Sequence, residues 1–185
     1  MHSFGFKKYS GEAIVLSRRS IGEADRILDL YTKEYGKLSV VAKGIRKPKS
    51  RKRGSLEVFS FIKFSAAKGK SLDILTEVET IDNLGDVRDD LKKVALAYYF
   101  VEVIEKTTKD GHMNLELFAH IQKYLSLLRS KDVGLKRLKK DFVYNTLVTL
   151  GYWPKGRRLI DEESAIEEVA ERKISSVRVG RKLLT

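Results

Sequence analysis

The densest charged segment of the chain places six basic residues within eight positions, 46–53. Its proline and serine disfavour a helix, and no acidic residue within it offsets the charge, so the segment predicts a loop that binds a polyanion. A solvated loop and a localisation signal are the alternatives. The basic residues expected to contact nucleic-acid phosphates are Arg46, Lys47, Lys49, Arg51, Lys52 and Arg53.

Aromatic and basic residues alternate along a predicted hairpin that precedes this loop. Residues of opposite parity to Leu28 and Leu30 are expected to face outward, because side chains alternate across a strand. Cations neutralise phosphates and flat rings stack on bases, so this face predicts a nucleic-acid-binding surface. Alternatively, the tyrosines cover the hairpin or pack on the helical part. The predicted face comprises Tyr31, Lys33, Tyr35, Lys37 and Lys43.

Three arginines extend the candidate site. Arg18 and Arg19 end the first predicted strand, near the barrel mouth from which the basic loop would leave. Arg26 shares the parity of the core residue Leu28, so a salt bridge with a neighbouring acidic residue and a phosphate contact are equally compatible with its position.

A second basic cluster lies on a predicted helix of the C-terminal half. Like charges four residues apart mildly destabilise a helix, which suggests a ligand. An ordinary solvated helix face is the alternative. The cluster comprises Lys136, Arg137 and Lys140.

Signals for catalysis are weak. The chain has no cysteine and only three scattered histidines, which excludes thiol chemistry and thiolate metal sites. Residues 69–71 read Gly-Lys-Ser, but position 64 is Phe64 where a phosphate-binding loop requires glycine. We expect no enzyme activity, no metal and no cofactor.

Composition supports a nucleic-acid partner. The 185 residues carry a net charge of +12, and residues 1–80 alone hold 17 basic and 9 acidic residues. No run approaches the 18 apolar residues of a membrane span, and residues 1–10 contain no signal-peptide stretch. These features predict a cytoplasmic protein.

The hydrophobic period changes from about two to about 3.6 near residue 82, which predicts a domain at 1–81 and another at 82–185. Five short strands with glycine-containing turns suit a closed barrel. The predicted fold is α+β, a five-stranded OB-fold barrel followed by an α-helical bundle. Strands are expected at 12–18, 25–34, 37–43, 56–66 and 72–79, and helices at 87–106, 115–128, 133–150 and 161–173.

Several segments resemble the bacterial recombination mediator family RecO. They include EAIVLSRR at 12–19, GEADRIL at 22–28, YGK at 35–37, VAKGIR at 41–46 and PKS at 48–50. LEVF at 56–59, LELF at 115–118 and LGYWP at 150–154 continue the similarity, which covers roughly residues 10–154.

The resemblance implies an oligonucleotide-binding barrel and a helical domain that bind single- and double-stranded DNA and anneal complementary strands. It also implies two partners: RecR, with which the family loads the recombinase RecA, and the acidic C-terminal tail of single-strand-binding protein. The basic cluster at 136–140 is the candidate contact for that tail.

The chain departs from the family pattern after residue 154. Many members carry a four-cysteine zinc site there, whereas this chain reads KGRR at 155–158 and is shorter than the usual member. The departure removes the zinc site and weakens the expectation of tail binding.

Other functions fit the same residues. An RNA-binding or ribosome-associated barrel would prefer structured RNA and would not anneal strands. An adaptor for an acidic partner tail would lose that partner, but not DNA, when the basic loop is neutralised. An anionic membrane is a weaker alternative, because the basic cluster lacks a large apolar helix face.

Overall fold

The computed structural model describes residues 7–45, 56–132 and 134–170. The chain divides into two compact units. One contains residues 1–83 and the segment Asp110–Met113, and the other contains residues 84–109 and 114–185.

The first unit is a closed five-stranded barrel. Its strands are β1 (Lys8–Ile21), β2 (Asp25–Thr32), β3 (Gly36–Ala42), β4 (Phe61–Ala67) and β5 (Asp73–Asp82). They are ordered β1-β2-β3-β5-β4 around the barrel. The β3–β5 pair is parallel, and the other pairs are antiparallel. The predicted fold class, an OB-type barrel followed by helices, is confirmed.

Alternation along the strands builds the barrel core. Leu28 and Leu30 point inward as expected, as do Val40 and Ala42 on β3. Closure removes the exposed strand edges that an open sheet of this size would present. The buried cluster also contains Ala13, Val15, Ile45, Leu56, Ile62, Phe64, Ala66 and Leu75.

Two strands differ most from the prediction. The fourth strand begins at Phe61 rather than at position 56, because the chain turns at Phe59, whose φ is 59°. The first strand is longer than predicted at both ends and pairs with β4 from Lys8 onward.

The second unit is helical. Its helices are α1 (Gly85–Arg88), α2 (Leu91–Thr107), α3 (Leu115–Leu127), α4 (Leu135–Thr149) and α5 (Glu162–Ala170). The single helix predicted at 87–106 is two helices, because the Asp90 carboxylate caps α2 by accepting bonds from the amides of Lys92 and Lys93. Asn114 caps α3 as expected.

Aromatic rings fill the space between α2, α3 and α4. Phe100 stacks on Phe142 with ring centroids 4.0 Å apart, and Tyr124 meets both rings edge-on. The ring of His120 stacks on Phe142 at 5.0 Å, and its Nε2 lies 3.0 Å from Oγ1 of Thr146. Burial lowers the pKa of His120 to about 4, and the charge of Lys123 acts in the same direction.

Candidate nucleic-acid interface

One end of the barrel contains a cleft of about 800 Å³. It forms where the starts of β1 and β3 meet the β4–β5 connection, because Lys8 pairs with Ala67 and Val40 pairs with Asp73. Its lining mixes cations, rings and two carboxylates: Lys7, Lys8, Tyr9, Tyr35, Lys37, Lys68, Asp73 and Asp110.

Asp73 anchors the floor of the cleft. Its carboxylate accepts bonds from the Tyr9 hydroxyl at 2.6 Å, Lys68 Nζ at 2.9 Å and the Gly69 amide at 3.2 Å. Burial alone raises the pKa of Asp73, but these hydrogen bonds outweigh it and hold the pKa below its ordinary value. The same burial and carboxylate raise the pKa of Tyr9, so its hydroxyl stays protonated and keeps donating.

Tyr35 presents its ring to the cleft. The side chain is 39% exposed, and its hydroxyl donates to the carbonyl oxygen of Ser10 at 3.3 Å. Tyr9 meets the Tyr35 ring edge-on, with centroids 5.0 Å apart, while Lys68 lies over the face of Tyr9 at 5.0 Å. Tyr35 is therefore held in one orientation while much of its surface stays accessible.

The lysines of the cleft differ in how they are paired. Lys37 Nζ lies 3.5 Å from Asp110 Oδ1, and Lys68 pairs with Asp73. The side chains of Lys7 and Lys8 are exposed and form no ion pair with any residue in the described ranges. These two cations are the most readily available to an anionic ligand.

The segment Asp110–Met113 completes one wall, although it lies between α2 and α3 in the sequence. The Gly111 amide donates to the Lys37 carbonyl oxygen at 2.9 Å. Gly36, with a φ of 67°, approaches so closely that an added Cβ would lie 2.3 Å from the His112 carbonyl oxygen. Only glycine fits this contact without displacing the wall.

Four of the predicted site residues lie at the opposite end of the barrel. Strand register brings Ser20 beside Arg26 and Arg26 beside Ala42, and Lys43 follows directly. Because six residues of nearly extended chain separate Lys37 from Lys43, these two lysines lie about 20 Å apart, whereas Arg18, in register with Leu28 and Val40, lies about 10 Å along the sheet from the level of Lys37. The predicted basic residues are therefore spread along the barrel from the cleft toward this far end. The residues at this far end are Arg18, Arg19, Arg26 and Lys43.

The far end is partly neutralised. Arg18 pairs with Glu57. Arg26 is half-buried. Arg19 and Lys43 are exposed and form no ion pair with residues of the described segments. All of the predicted loop residues 46–53 lie outside the described residues.

Tyr31 corrects the prediction of an outward-facing site residue. It has the expected parity but is fully buried, opposite Ile14, which itself pairs with the buried Phe61. This part of the outer surface is therefore a second apolar layer, and Tyr31 cannot stack on a base. Burial raises the pKa of Tyr31 to about 12, and its hydroxyl has no hydrogen-bond partner among the described residues.

Lys33 remains exposed as predicted, but its Nζ lies 3.3 Å from Glu12 Oε2. It borders a second groove that also contains Glu34, Glu77 and Glu79. This acidic setting makes Lys33 a poorer phosphate ligand than the lysines of the cleft.

The basic cluster on α4 is largely paired within its own unit. Arg137 lies 3.7 Å from Asp141, and Lys140 lies 3.6 Å from Glu162. Lys136 is exposed, with no ion pair to a described residue. The like-charge repulsion seen in the sequence is thus relieved by carboxylates of α4 and α5.

Sequence reasoning missed six of the charged and aromatic residues of the cleft: Lys7, Lys8, Tyr9, Lys68, Asp73 and Asp110. The first strand was predicted to begin at position 12, which left the preceding Lys-Lys-Tyr segment unassigned. Tyr9 shares the parity of Ala13 and Val15 and packs against the same core, so extending the alternation toward the N-terminus would have found it.

Other site classes lack support in the described ranges. No group of three or more histidine, aspartate or glutamate side chains there could hold a metal ion. None of the helices in those ranges combines the length and apolar character needed to cross a membrane.

Comparison with known proteins identifies the barrel unit. Residues 6–84 match the family model described as recombination protein O N terminal. The chain is 35% identical over 148 residues to DNA repair protein RecO of Pelotomaculum thermopropionicum, covering 80% of this chain and 57% of that protein. Proteins of the same name from Moorella thermoacetica and Rubrobacter xylanophilus are each 33% identical over 147 residues, covering 80% of this chain and 54% and 59% of those proteins.

The chain thus spans a little over half the length of each of these relatives. The similarity extends beyond the barrel, since it covers four-fifths of this chain. The barrel unit therefore matches the N-terminal domain of recombination protein O, and the chain is similar to RecO proteins over the longer region.

Proposed function

We propose that this chain is a DNA-repair mediator that binds single- and double-stranded DNA, anneals complementary strands, and acts with RecR to load RecA. The observation that carries the proposal is the lysine- and tyrosine-lined cleft in a barrel that matches the N-terminal domain of recombination protein O. The names of the relatives, DNA repair protein RecO, support the same assignment.

Annealing follows from charge neutralisation. Lysines of the cleft bind the phosphates of one strand, and the far-end residues Arg19 and Lys43, with the basic residues of 46–53, bind a further stretch of backbone. A neutralised strand repels its complement less, so the two approach and pair. Counterion release drives such binding, and six neutralised phosphates on a single strand give a log–log salt slope of about −4.

The first test measures annealing of two complementary labelled oligonucleotides at low and moderate salt. We expect the wild type to accelerate annealing in a salt-sensitive manner, and the triple variant Arg51→Ala/Lys52→Ala/Arg53→Ala to lose most of that acceleration. The matched control Lys136→Ala/Arg137→Ala/Lys140→Ala removes three charges from α4 and is expected to anneal normally.

Three results would contradict the proposal. A folded wild type that binds DNA but does not accelerate annealing would be a binder only. A salt slope near zero would remove the electrostatic mechanism. Tighter binding to structured RNA than to single-stranded DNA, without annealing, would instead indicate an RNA-binding barrel.

Partner binding is the remaining part of the proposal. The similarity to RecO proteins supports RecR and the acidic tail of single-strand-binding protein as partners, and Lys136 is the most available cation of the α4 cluster for such a tail. A fluorescent peptide carrying the tail sequence is expected to bind the wild type and to lose affinity for Lys136→Ala/Arg137→Ala/Lys140→Ala. Equal affinity for both proteins would remove this cluster as the tail site.

A further inference from the structure

The barrel cleft contains an accessible ring between cations, which is more than backbone binding requires. A site that only neutralises phosphates needs lysines or arginines, as at the far end of the barrel. Rings add affinity when an unpaired base can lie against them. The cleft, at about 800 Å³, also falls within the usual size of small-molecule sites.

The two tyrosines of the cleft have different roles. Tyr9 packs edge-on against Phe64, binds Asp73 through its hydroxyl and has Lys68 over its face. Tyr9 is therefore occupied by the protein itself. Tyr35 has its hydroxyl fixed by Ser10 and one side set by Tyr9, and its remaining surface is accessible.

Four lysines line the same cleft as the accessible ring. Lys37 follows Tyr35 at the start of β3, while Lys7, Lys8 and Lys68 line the same cleft. A base on the ring would have its neighbouring phosphates among these lysines. Because bases in a duplex are already stacked and paired, only an unpaired strand could supply that base without opening base pairs.

We propose that this cleft holds one unpaired nucleotide of a DNA strand with its base against Tyr35, and thereby gives the barrel a preference for single strands. This inference rests on the proposed DNA-binding function. It assigns Tyr35 as the residue that distinguishes single-stranded from double-stranded DNA, while the far end of the barrel binds the backbone of either form.

The test compares affinities of the full chain for three probes of equal length: a single-stranded oligonucleotide, its duplex, and a single strand of abasic sites. The abasic strand keeps the phosphates but has no bases. Tyr35→Ala is expected to weaken single-strand binding roughly five- to a hundredfold, the range of one base–ring stack, and to leave duplex and abasic binding within twofold.

Two control variants distinguish loss of the Tyr35 ring from loss of its hydroxyl group and from loss of an exposed tyrosine elsewhere in the protein. Tyr35→Phe removes only the hydroxyl bond to Ser10 and is expected to bind single strands within twofold of the wild type. Tyr98→Ala removes a tyrosine of the helical unit with nearly the same exposure, 40% against 39%, and is expected to change no affinity. Unchanged thermal melting of each variant verifies folding.

The outcomes distinguish this inference from the proposed function. If wild type binds no DNA, the proposed function itself fails. If wild type binds DNA but Tyr35→Ala weakens all three probes equally, or none, DNA binding stands and the base-stacking site is overturned. If wild type prefers the normal strand to the abasic strand and Tyr35→Ala abolishes that preference, the site is established.

Discussion

The barrel and the helical unit both carry basic clusters, but the two units use these cations differently. In the barrel cleft, Lys7 and Lys8 are exposed beside tyrosine rings and pair with no described carboxylate. On α4, three neighbouring cations each lie within 3.7 Å of a carboxylate of α4 or α5, and Lys139 also covers the ring of Tyr99 at 4.7 Å.

This difference shows why basic residues cannot be counted as binding sites without their partners. A lysine held by a carboxylate must exchange one anion for another when it binds DNA, so its net contribution is small. A lysine surrounded by solvent releases counterions instead, which is favourable at moderate salt. A change in the barrel and a matched change in the helical unit therefore distinguish available cations from paired ones.

The largest expected effect concerns two glycines with positive φ, one in each unit. Gly36→Ala is expected to destabilise the protein by about 3–4 kcal/mol, because left-handed strain adds to the clash of its Cβ with the His112 carbonyl oxygen. Gly151→Ala has φ of 77° but open space around the new Cβ, so it is expected to cost only about 1 kcal/mol. Urea unfolding measures both values, and equal costs would show that the wall at 110–113 yields freely.

The next largest effect is a loss of stability at acid pH, which is expected to begin in the helical unit at a higher pH than in the barrel. The pKa of His120 is about 4 in the folded protein against 6.5 in the unfolded chain, so its contribution is present above pH 6.5 and is lost as the pH falls toward 4. We expect a loss of about 2–3 kcal/mol over that window. The barrel's Asp73 has its pKa lowered from 3.8, so its contribution is lost only at still lower pH.

Thermal melting at pH 7 and pH 4.5 tests this prediction, with His120→Gln as the matched variant. The variant retains a polar group near Thr146 but does not titrate. It is expected to lose less stability between the two pH values than the wild type does. An identical loss in both proteins would show that another group controls acid unfolding.

A smaller effect is expected when exposed cations are removed in pairs. Lys7→Gln/Lys8→Gln is expected to weaken single-strand binding about tenfold and to make the log–log salt slope shallower by about 1.4, the value for two phosphate contacts. Lys136→Gln/Arg137→Gln removes the same charge from α4 and is expected to change DNA affinity less than twofold. Fluorescence anisotropy across a salt series measures the DNA affinity and the salt slope of each variant. Equal losses of affinity in the two variants would mean that DNA binding depends only on the net charge of the protein.

The smallest expected effect comes from removing a carboxylate beside a cation. Asp110→Asn removes the exposed carboxylate that lies 3.5 Å from Lys37 Nζ and is expected to strengthen DNA binding about two- to threefold, in keeping with the modest energy of a solvent-screened ion pair. Asp141→Asn frees Arg137 in the helical unit and adds the same charge to the chain. It is expected to leave DNA affinity unchanged. A similar gain in both variants would show that Asp110 does not compete locally with DNA phosphates for Lys37.

Much of the fold was predictable because its signals are local. Alternation placed Leu28, Leu30 and Val40 in the barrel core, and the 3.6-residue period located the helices. Asn114 was predicted as a cap from its residue type, and its side chain accepts a bond from the Leu117 amide at 2.9 Å. The start of β4 was not predicted, because residues 56–60 are as apolar as a strand but turn at Phe59.

The candidate site was only partly predictable. Tyr35 and Lys37 were identified from the alternation, whereas Tyr31, with the same outward parity, is buried. Parity tells which face of the sheet a side chain occupies, but it does not tell what covers that face. Lys43 was grouped with Tyr35 and Lys37 because alternation assigns a side chain to one face of the sheet but not to a position along that face.

The sequence by itself determined the number and order of the barrel strands, the cap of α3, the excess of positive charge and the resemblance to RecO proteins, because these depend on residue type and spacing over a few positions. Only the tertiary structure decided that residues 7–9, Tyr35, Lys37, Lys68 and the segment Asp110–Met113 form one cleft. It also decided which cations are paired by carboxylates and which remain available. Closure of the barrel is the physical reason, since it brings together strand ends and connections that are distant in sequence.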